Sequence, residues 1–255
     1  MKMTRLLCAS TGEKCLFLPS TLEKISELRG AGFGEVVFYG VEPPDPWRET
    51  LGQVSMTARV MPSEGNDAVH ILGAAKEAEA SMVVILEEDS LRERDAFPGP
   101  VLKDLVQDSS VPVLIILEKS GDKTVKGLFS HVIYGTNWTE PAERALGLLL
   151  PLRDFIVAME VVHVINEKLT VRDMREIKEK LTGTRRRCLD QGIDAEAHYY
   201  AGDTAEEIVT SSRDYRGSVI VVGGITAKPL LARLLQEEPV FGVLKRSPVP
   251  VLIVP

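Results

Sequence analysis

Two stretches of the sequence repeat each other without gaps and point to the fold. Residues 65–85 read GNDAVHILGAAKEAEASMVVI, and residues 202–222 read GDTAEEIVTSSRDYRGSVIVV. Gly, Ala, Ile, Ser and Val recur at matching positions of the two stretches. Because self-similarity over a long period indicates a duplicated structural unit, the chain is predicted to contain two copies of one domain.

A second match lies near the end of each half. The sequence VPVLI occurs at 111–115 and at 249–253, one residue out of register with the first match. Between the halves, residues 119–127 are polar, contain glycine and lack periodicity, which is typical of a linker. The sequence therefore predicts domains at 1–121 and 128–255.

Short β-branched runs alternate with helical stretches within each half. In the second half we predict strands at 132–134, 157–165, 195–200, 219–222 and 249–254, and helices from about 140, 170, 205 and 230. Asp203 and Glu206 have the spacing of a capping box. Strands as continuously apolar as 219–222 are typical of parallel sheets covered by helices on both faces. The predicted fold class is doubly wound α/β, which binds ligands beyond the carboxyl ends of its strands.

Composition and charge exclude several classes of protein. With 44% hydrophobic and 26% charged residues, the 255-residue chain is expected to form soluble globular domains rather than a disordered or fibrous protein. Residues 1–121 carry 12 basic and 19 acidic side chains, whereas residues 122–255 carry 18 of each. An acidic chain without a basic stripe argues against binding nucleic acid or anionic membranes. The one basic cluster, Arg185–Arg187, is predicted to be a solvated helix face, with an anion site as the alternative.

No apolar run approaches the length of a membrane span, and Met1–Leu7 has no features of a secretory leader. We therefore expect a cytoplasmic protein. Cys8, Cys15 and Cys188 are too scattered for a metal or disulfide framework and are expected to act as small buried hydrophobic residues.

Four segments of the second half together resemble one known family. They are NWTEPAERAL at 137–146, VVHVI at 161–165, GDTAEEI at 202–208 and SPVPVLIV at 247–254. The sequence resembles the tandem universal stress proteins, over most of residues 128–255 directly and over the first half mainly through the internal repeat. The resemblance implies two Rossmann-like domains related by a pseudo-twofold axis, with Val111–Leu117 and Val249–Val254 paired as an intramolecular pseudo-dimer. A further homodimer is an additional expectation.

The resemblance also implies where a nucleotide would bind. ATP-binding members carry Gly-x-x-Gly, nine residues and then Gly-Ser or Gly-Thr after the fourth strand, because glycines let the backbone approach phosphates. Aligned on the closing strand, the corresponding residues are Gly224, Ala227 and Glu237-Glu238. Aligned on the fourth strand, they are Gly223, Thr226 and Gln236-Glu237, with Leu86, Asp89 and Gly99-Pro100 in the first half. Only the first glycine remains in the second half, and Pro100 in the first half supplies neither an amide donor nor a hydroxyl. Neither half retains a complete phosphate cradle, and ATP is therefore predicted to bind weakly or not at all.

The family's aspartate after the first strand is also replaced. Asn137 stands there in the second half and Thr11 in the first, as implied by the resemblance. The candidate nucleotide contacts are Asn137, Gly223, Gly224 and Ala227. Two alternatives remain open, since Asn137 could instead form a local turn before the next helix, and the glycine pair could be a tight strand-to-helix turn.

No catalytic motif is found in the sequence. The four histidines lack metal-binding spacing, and neither a GxSxG elbow nor a phosphate-binding loop motif occurs. His163 is expected to be a hydrogen-bonded core residue. Glu87-Glu88-Asp89 is expected to be a solvated acidic turn, with a cation site as the alternative.

Two functions follow from these observations. The first is a non-enzymatic universal stress protein with a regulatory or interaction role, an unidentified protein partner, no cofactor and a degenerate ATP site. The second is an adenine-nucleotide-binding protein or weak nucleotide hydrolase that uses the second domain. Acidic residues in place of Gly-Ser favour the first.

Overall fold

Ten strands and eight α-helices make up the computed structural model, which describes residues 4–11, 17–88, 97–118, 127–225 and 238–255. The chain divides into two compact units, Met1–Gly127 (unit 1) and Leu128–Val254 (unit 2). Within each unit, strands and helices alternate around a parallel sheet. The predicted doubly wound α/β fold is confirmed.

Unit 1 has the strand order β3-β2-β1-β4-β5, and every described pair in it is parallel. Its elements are β1 (Arg5–Ala9), α1 (Pro19–Glu27), β2 (Glu35–Tyr39), α2 (Asp45–Gln53), β3 (Thr57–Met61), α3 (Ala68–Glu77), β4 (Met82–Glu88), α4 (Pro100–Asp108) and β5 (Val113–Glu118).

Unit 2 has the equivalent order β8-β7-β6-β9-β10, again parallel throughout. Its elements are β6 (His131–Gly135), α5 (Glu140–Leu149), a 3₁₀ helix (Leu150–Phe155), β7 (Ala158–Ile165), α6 (Val171–Asp190), β8 (Ala195–Ala201), α7 (Thr204–Asp214), β9 (Val219–Gly223), α8 (Pro239–Arg246) and β10 (Val251–Val254).

Helices cover both faces of the unit 2 sheet. Val222 and Gly135 lie beside Ile208 of α7, whereas the next residue of β9, Gly223, lies against the start of α5. Because successive residues of a strand point to opposite faces, α5 and α7 cover opposite faces of the sheet. This arrangement explains why β6 and β9 are almost continuously apolar and buried.

Side-chain caps set the starts of several helices. Asp203 accepts a hydrogen bond from the amide of Glu206, which is the Asp203 half of the predicted capping box and confirms the start of α7. Asp67 caps α3 in the same way. A full capping box is present at Thr170 and Asp173, where α6 begins.

The closing strands begin two residues later than the sequence predicted. Ser109 and Ser247 each form a local turn with a valine two residues on, through hydroxyl-to-carbonyl bonds of 2.7 and 2.6 Å. The proline that follows each valine has no amide hydrogen to donate to a ladder, and β5 and β10 therefore start at Val113 and Val251. The identical turns show that the VPVLI match reflects structural equivalence.

The last predicted helix also has a different start. Residues 230–237 of that prediction lie outside the described residues, and α8 begins at Pro239, where a proline suits the first helical position because no amide hydrogen is needed there. In the described parts of the chain, no helix is long and apolar enough to span a membrane.

Two of the three cysteines are described, and both behave as buried hydrophobic residues. Cys8 and Cys188 are buried, and burial raises the pKa of the Cys188 thiol to about 11. Cys15 lies outside the described residues.

Candidate ligand-binding site

A cavity of about 370 Å³ lies at the carboxyl ends of β6, β7 and β9 in unit 2. The chain runs from β6 to β7 and β8 on one side and returns to β9 on the other, so the cavity lies at the topological switch point of the sheet. Asn137, Gly223 and Gly224 all line it. The fourth candidate residue, Ala227, lies outside the described residues. Apolar walls are formed by Val162, Ile177, Ile208, Val240 and Val243.

The loop between β6 and α5 carries Asn137 and is held by buried hydrogen bonds. The hydroxyl of Tyr134 donates to the carbonyl of Ala142 over 2.7 Å, and the amide of Trp138 donates to the hydroxyl of Thr136. Burial raises the pKa of Tyr134 to about 12, so this phenol stays neutral and keeps its proton for the bond. The loop is therefore a fixed edge of the cavity.

Asn137 forms the predicted local turn and also faces the cavity. Its Oδ1 accepts hydrogen bonds from the amide and the hydroxyl of Thr139, the latter over 2.6 Å. Because Oδ1 is used in this turn, the side-chain amide hydrogens are the groups that Asn137 can offer to a ligand.

Close packing explains the glycine at the end of β9. A Cβ at Gly223 would lie 2.5 Å from the amide nitrogen of Ala142, where α5 passes over the strand. The next residue, Gly224, donates its amide to the carbonyl of Val254. Gly223 and Gly224 therefore allow tight packing at the strand end, in agreement with the alternative interpretation of a tight turn. Both glycines also line the cavity.

His163 lies in the cavity wall rather than in the core. Its Nδ1 is 2.9 Å from the carbonyl oxygen of Thr136, which can only accept, so Nδ1 carries the proton and Nε2 is an acceptor in the neutral ring. No partner for Nε2 occurs in the described part of the chain. Trp138 packs on the imidazole at 4.4 Å between ring centroids. Burial lowers the pKa of His163, since it disfavours the imidazolium.

Two acidic residues line the cavity. Glu167 follows β7, and Glu238 is the residue before the first turn of α8. No lysine or arginine is present among the described lining residues. From the sequence, Glu238 was predicted only as a replacement for the family's Gly-Ser. Glu167 was not predicted, because its one signal is its position just after a strand end.

The corresponding crevice of unit 1 is occupied by a carboxylate. Glu87 is 3% exposed, and one of its oxygens accepts hydrogen bonds from both the amide and the hydroxyl of Thr11, the latter over 2.7 Å. The prediction of a solvated acidic turn is thus wrong for Glu87, because donors at the end of β1 satisfy its charge. Asp89 lies outside the described residues.

Strand registers confirm that Thr11 and Asn137 are equivalent. Ala9 pairs with Ile85 in unit 1, as Gly135 pairs with Val222 in unit 2, so the first strands of the units are related by 126 positions and the fourth strands by 137. The first offset relates Thr11 to Asn137, and the second relates Glu87 to Gly224. Unit 1 therefore has a buried carboxylate where unit 2 has a glycine beside a cavity.

A second polar cluster was not anticipated from the sequence. Glu160, with a side chain 7% exposed, accepts from Nε2 of His131 at 2.9 Å and from Nε2 of His198 at 2.7 Å. These residues come from three strands, so no local spacing could reveal them. Among the residues that the structure describes, no group of three or more His, Cys, Asp or Glu is placed to hold a metal ion.

The arginine cluster on α6 lies on an exposed helix face, as predicted. Arg185 donates to the carbonyl of Ala195, and Arg187 forms an ion pair of 2.7 Å with Glu143. The buried residues of the same helix include Leu181 and Cys188, which face the sheet.

No protein-family model matches the sequence, and no curated protein matches it either. Solved structures do match. A universal stress protein from Archaeoglobus fulgidus aligns with 98% of this chain and 95% of its own, with a TM-score of 0.72 and 18% identity. A putative universal stress protein from Pseudomonas aeruginosa aligns with 99% of this chain and 92% of its own, with a TM-score of 0.69 and 11% identity. At these identities the similarity establishes a shared fold.

A third solved structure aligns with only half of this chain. A universal stress protein from Archaeoglobus fulgidus in complex with dAMP covers 50% of this chain and 98% of its own, at 19% identity and a TM-score of 0.40. A similarity at that score does not bear on the function of this chain.

Proposed function

We propose that this chain is a tandem universal stress protein with a regulatory rather than enzymatic role, and that unit 2 binds a small ligand of the nucleoside class. The observation that carries the proposal is the cavity of about 370 Å³ at the switch point of unit 2. Doubly wound sheets bind ligands at this position. The volume is at the small end of the range for ligand pockets, which suits a single nucleoside.

The chemistry of the lining supports an aromatic heterocycle as ligand. Apolar side chains such as Val162 and Ile208 form the walls, and two polar groups of opposite type lie between them. Asn137 offers amide hydrogens, whereas Nε2 of His163 accepts. A base with ring nitrogens and an exocyclic amine has matching donors and acceptors at its edge.

A non-enzymatic role is supported by the ionisable groups around the cavity. The described lining holds one imidazole, His163, and two carboxylates, Glu167 and Glu238, with no lysine or cysteine among them. A nucleophile activated by an adjacent base is the usual signature of covalent catalysis, and these described residues do not supply one.

Binding is proposed for one unit only, because Glu87 and Thr11 are joined where unit 2 has its cavity. The chain would then carry one ligand and present a second, closed unit to a protein partner. We place this regulatory protein in the cytoplasm.

The proposal is tested by identifying what the purified full chain carries. The protein is denatured by heat, and the supernatant is analysed by chromatography with mass detection, followed by calorimetry of the emptied, refolded chain with adenosine, AMP and ATP. We expect a nucleoside or nucleotide to be released or bound with a stoichiometry of one. Absence of any member of the series from both measurements would overturn the proposal.

A matched pair of variants locates the binding. Asn166 is an exposed lining residue, so Asn166→Trp should fill the cavity mouth and abolish binding without loss of stability. Asn66→Trp makes the same replacement on the surface of unit 1 and should leave binding unchanged.

A further inference from the structure

His163 brings one defined hydrogen-bond acceptor to the lining of the unit 2 cavity. Its Nδ1 donates to the carbonyl of Thr136 over 2.9 Å, so the neutral ring has its proton on Nδ1 and a lone pair on Nε2. Trp138 packs against the imidazole, and the indole NH donates in turn to the hydroxyl of Thr184 on α6. These contacts fix both the tautomer and the position of the ring, and Nε2 is the nitrogen left for a ligand.

A hydrogen-bond donor accompanies this acceptor. Thr136, to which the imidazole is bonded, directly precedes Asn137 in the loop after β6. The Oδ1 of Asn137 accepts from Thr139, so its amide hydrogens are the groups that remain for a ligand. A neighbouring donor and acceptor match the edge of an aminated base such as adenine, on which an amine lies beside a ring nitrogen. The ring nitrogen would accept from Asn137, and the amine would donate to His163.

The surroundings of the imidazole favour its neutral form. Burial lowers the pKa of His163, and the charge of Lys180 on α6 acts in the same direction, although the bond to Thr136 opposes them. Nζ of Lys180 lies 5.2 Å from the centre of the Trp138 ring, which itself packs on the imidazole. The lone pair on Nε2 is therefore present at neutral pH and is lost only in acid.

Other titratable side chains of the described residues also lie around His163. They come from the paired strand β8, from the segment after β7 and from the residue before α8, and they are Tyr199, Glu167 and Glu238. The residues of α7 in the described lining, Thr204 and Ile208, carry no charge. Because carboxylates can add a pH dependence of their own, the role of the imidazole has to be tested by substitutions at the histidine itself.

Unit 1 has no equivalent of this imidazole. The strand registers make Phe38 the counterpart of Val161, and Gly40 is therefore the counterpart of His163. A Cβ at Gly40 would lie 2.5 Å from the side chain of Ser63, so a larger residue would clash there. Recognition through an imidazole at this position is thus confined to unit 2.

We infer that the ligand of the unit 2 cavity is a nucleoside whose base carries an amine, that this amine donates to Nε2 of His163, and that acid releases the ligand by protonating that nitrogen. The inference rests on the function proposed above, because it names the group of the ligand that the cavity recognises and the condition that releases it. Protonation replaces the lone pair of Nε2 by an N–H bond, so the amine then meets a donor in place of an acceptor.

Calorimetry of the emptied full chain with adenosine and purine riboside tests the recognition, because the two nucleosides differ only by the amine. Near neutral pH we expect adenosine to bind about tenfold more tightly, since purine riboside leaves the acceptor without a donor. The preference should disappear in His163→Phe, which has no acceptor. In His163→Gln it should be retained, because the side-chain oxygen can accept in place of Nε2.

Proton NMR of the imidazole rings tests the release by acid. The chain has four histidines, and His163→Gln assigns the signal of His163. We expect adenosine to move the titration of His163 to lower pH, because the ligand binds the neutral ring. Below the pKa that NMR measures in the free protein, adenosine affinity should fall by up to about tenfold for each further pH unit. His163→Gln cannot be protonated in this range, and its affinity should stay nearly constant.

The control is His70→Gln, which removes an imidazole bonded to Asp67 in unit 1 and should leave the pH dependence of binding unchanged. Three results would overturn the inference and leave the proposed function standing: equal affinities for the two nucleosides, a pH dependence that persists in His163→Gln, or a titration of His163 that adenosine does not move. Binding of AMP or ATP but of neither nucleoside would have the same meaning. Failure of the whole series to bind at any pH overturns the proposed function as well.

Discussion

The hydroxyl of Thr11 donates a 2.7 Å hydrogen bond to the carboxylate of Glu87, across the carboxyl ends of β1 and β4. The two residues are equivalent by strand register to Asn137 and Gly224, between which unit 2 has its cavity. The two units thus differ at the point where a doubly wound sheet binds ligands. In unit 1 a hydrogen bond joins these two positions, whereas in unit 2 both positions line a cavity.

The Thr11–Glu87 contact should contribute measurably to the stability of unit 1. In a double-mutant cycle of Thr11→Val and Glu87→Gln, we expect a coupling of about 1–2 kcal/mol, because a buried carboxylate loses a charge-assisted bond. Urea unfolding of the four proteins measures it. The exposed pair Arg172–Glu176 provides a control cycle, for which we expect less than about 0.5 kcal/mol. Equal coupling in the two cycles would contradict the buried-contact account.

Gly223 should be sensitive to substitution for a steric reason. Gly223→Ala places a Cβ 2.5 Å from the backbone of α5, and we expect a loss of about 1–3 kcal/mol of unfolding free energy. Gly183→Ala on α6 meets nothing within 4 Å and should stabilise by up to about 1 kcal/mol, through helix propensity alone. Thermal unfolding measures the stability of both variants. If Gly223→Ala left the unfolding free energy unchanged, close packing of α5 on β9 would be ruled out.

Acid should destabilise unit 2 through His163. Burial lowers the pKa of this imidazole below its ordinary value of 6.5, so the unfolded chain binds the proton more readily than the folded one. The contribution to stability is present above pH 6.5 and is lost as the pH falls through the folded-state pKa. Unfolding free energies between pH 5 and 8 should therefore fall more steeply in the wild type than in His163→Gln. Parallel profiles would exclude His163 as a source of the pH dependence.

Restoring the phosphate motif should raise ATP affinity. The triple variant Ala227→Gly/Glu237→Gly/Glu238→Ser removes two carboxylates and returns a hydroxyl before α8. One carboxylate about 5 Å from a phosphate, at a dielectric near ~20, costs roughly 3 kcal/mol, so the gain could reach about a hundredfold. Calorimetry with ATP measures the change. A folded triple variant that binds no better than wild type would refute the degenerate-motif hypothesis.

The closing strands should matter for assembly. Residues 128–255 produced alone are expected to dimerise or aggregate, because the resemblance implies that β10 is paired at both edges in the full chain and an unpaired apolar strand associates readily. Light scattering at micromolar concentrations measures this. A monodisperse monomer of the fragment would contradict the predicted pseudo-dimer.

The sequence by itself determined the internal repeat, the α/β alternation and the strand ends that border the cavity. These features depend on local patterns: apolar runs for β6 and β9, an N-cap at Asp203, and a glycine pair directly after a strand. Each pattern is complete within a few residues, so it can be recognised before the chain folds. For the same reason the altered phosphate motif was visible, since its residues have fixed spacing along the chain.

Only the tertiary structure decided which of these residues line a cavity, which are buried and which contact one another. Glu87 meets Thr11 across 76 positions of sequence, and Glu160 meets His131 and His198 from neighbouring strands. His163 was expected in the core but lies in a cavity wall, because its exposure depends on how α6, α7 and the loop that carries Trp138 pack around β7. Burial and cross-strand contact are properties of the sheet register and helix packing, which no single stretch of sequence contains.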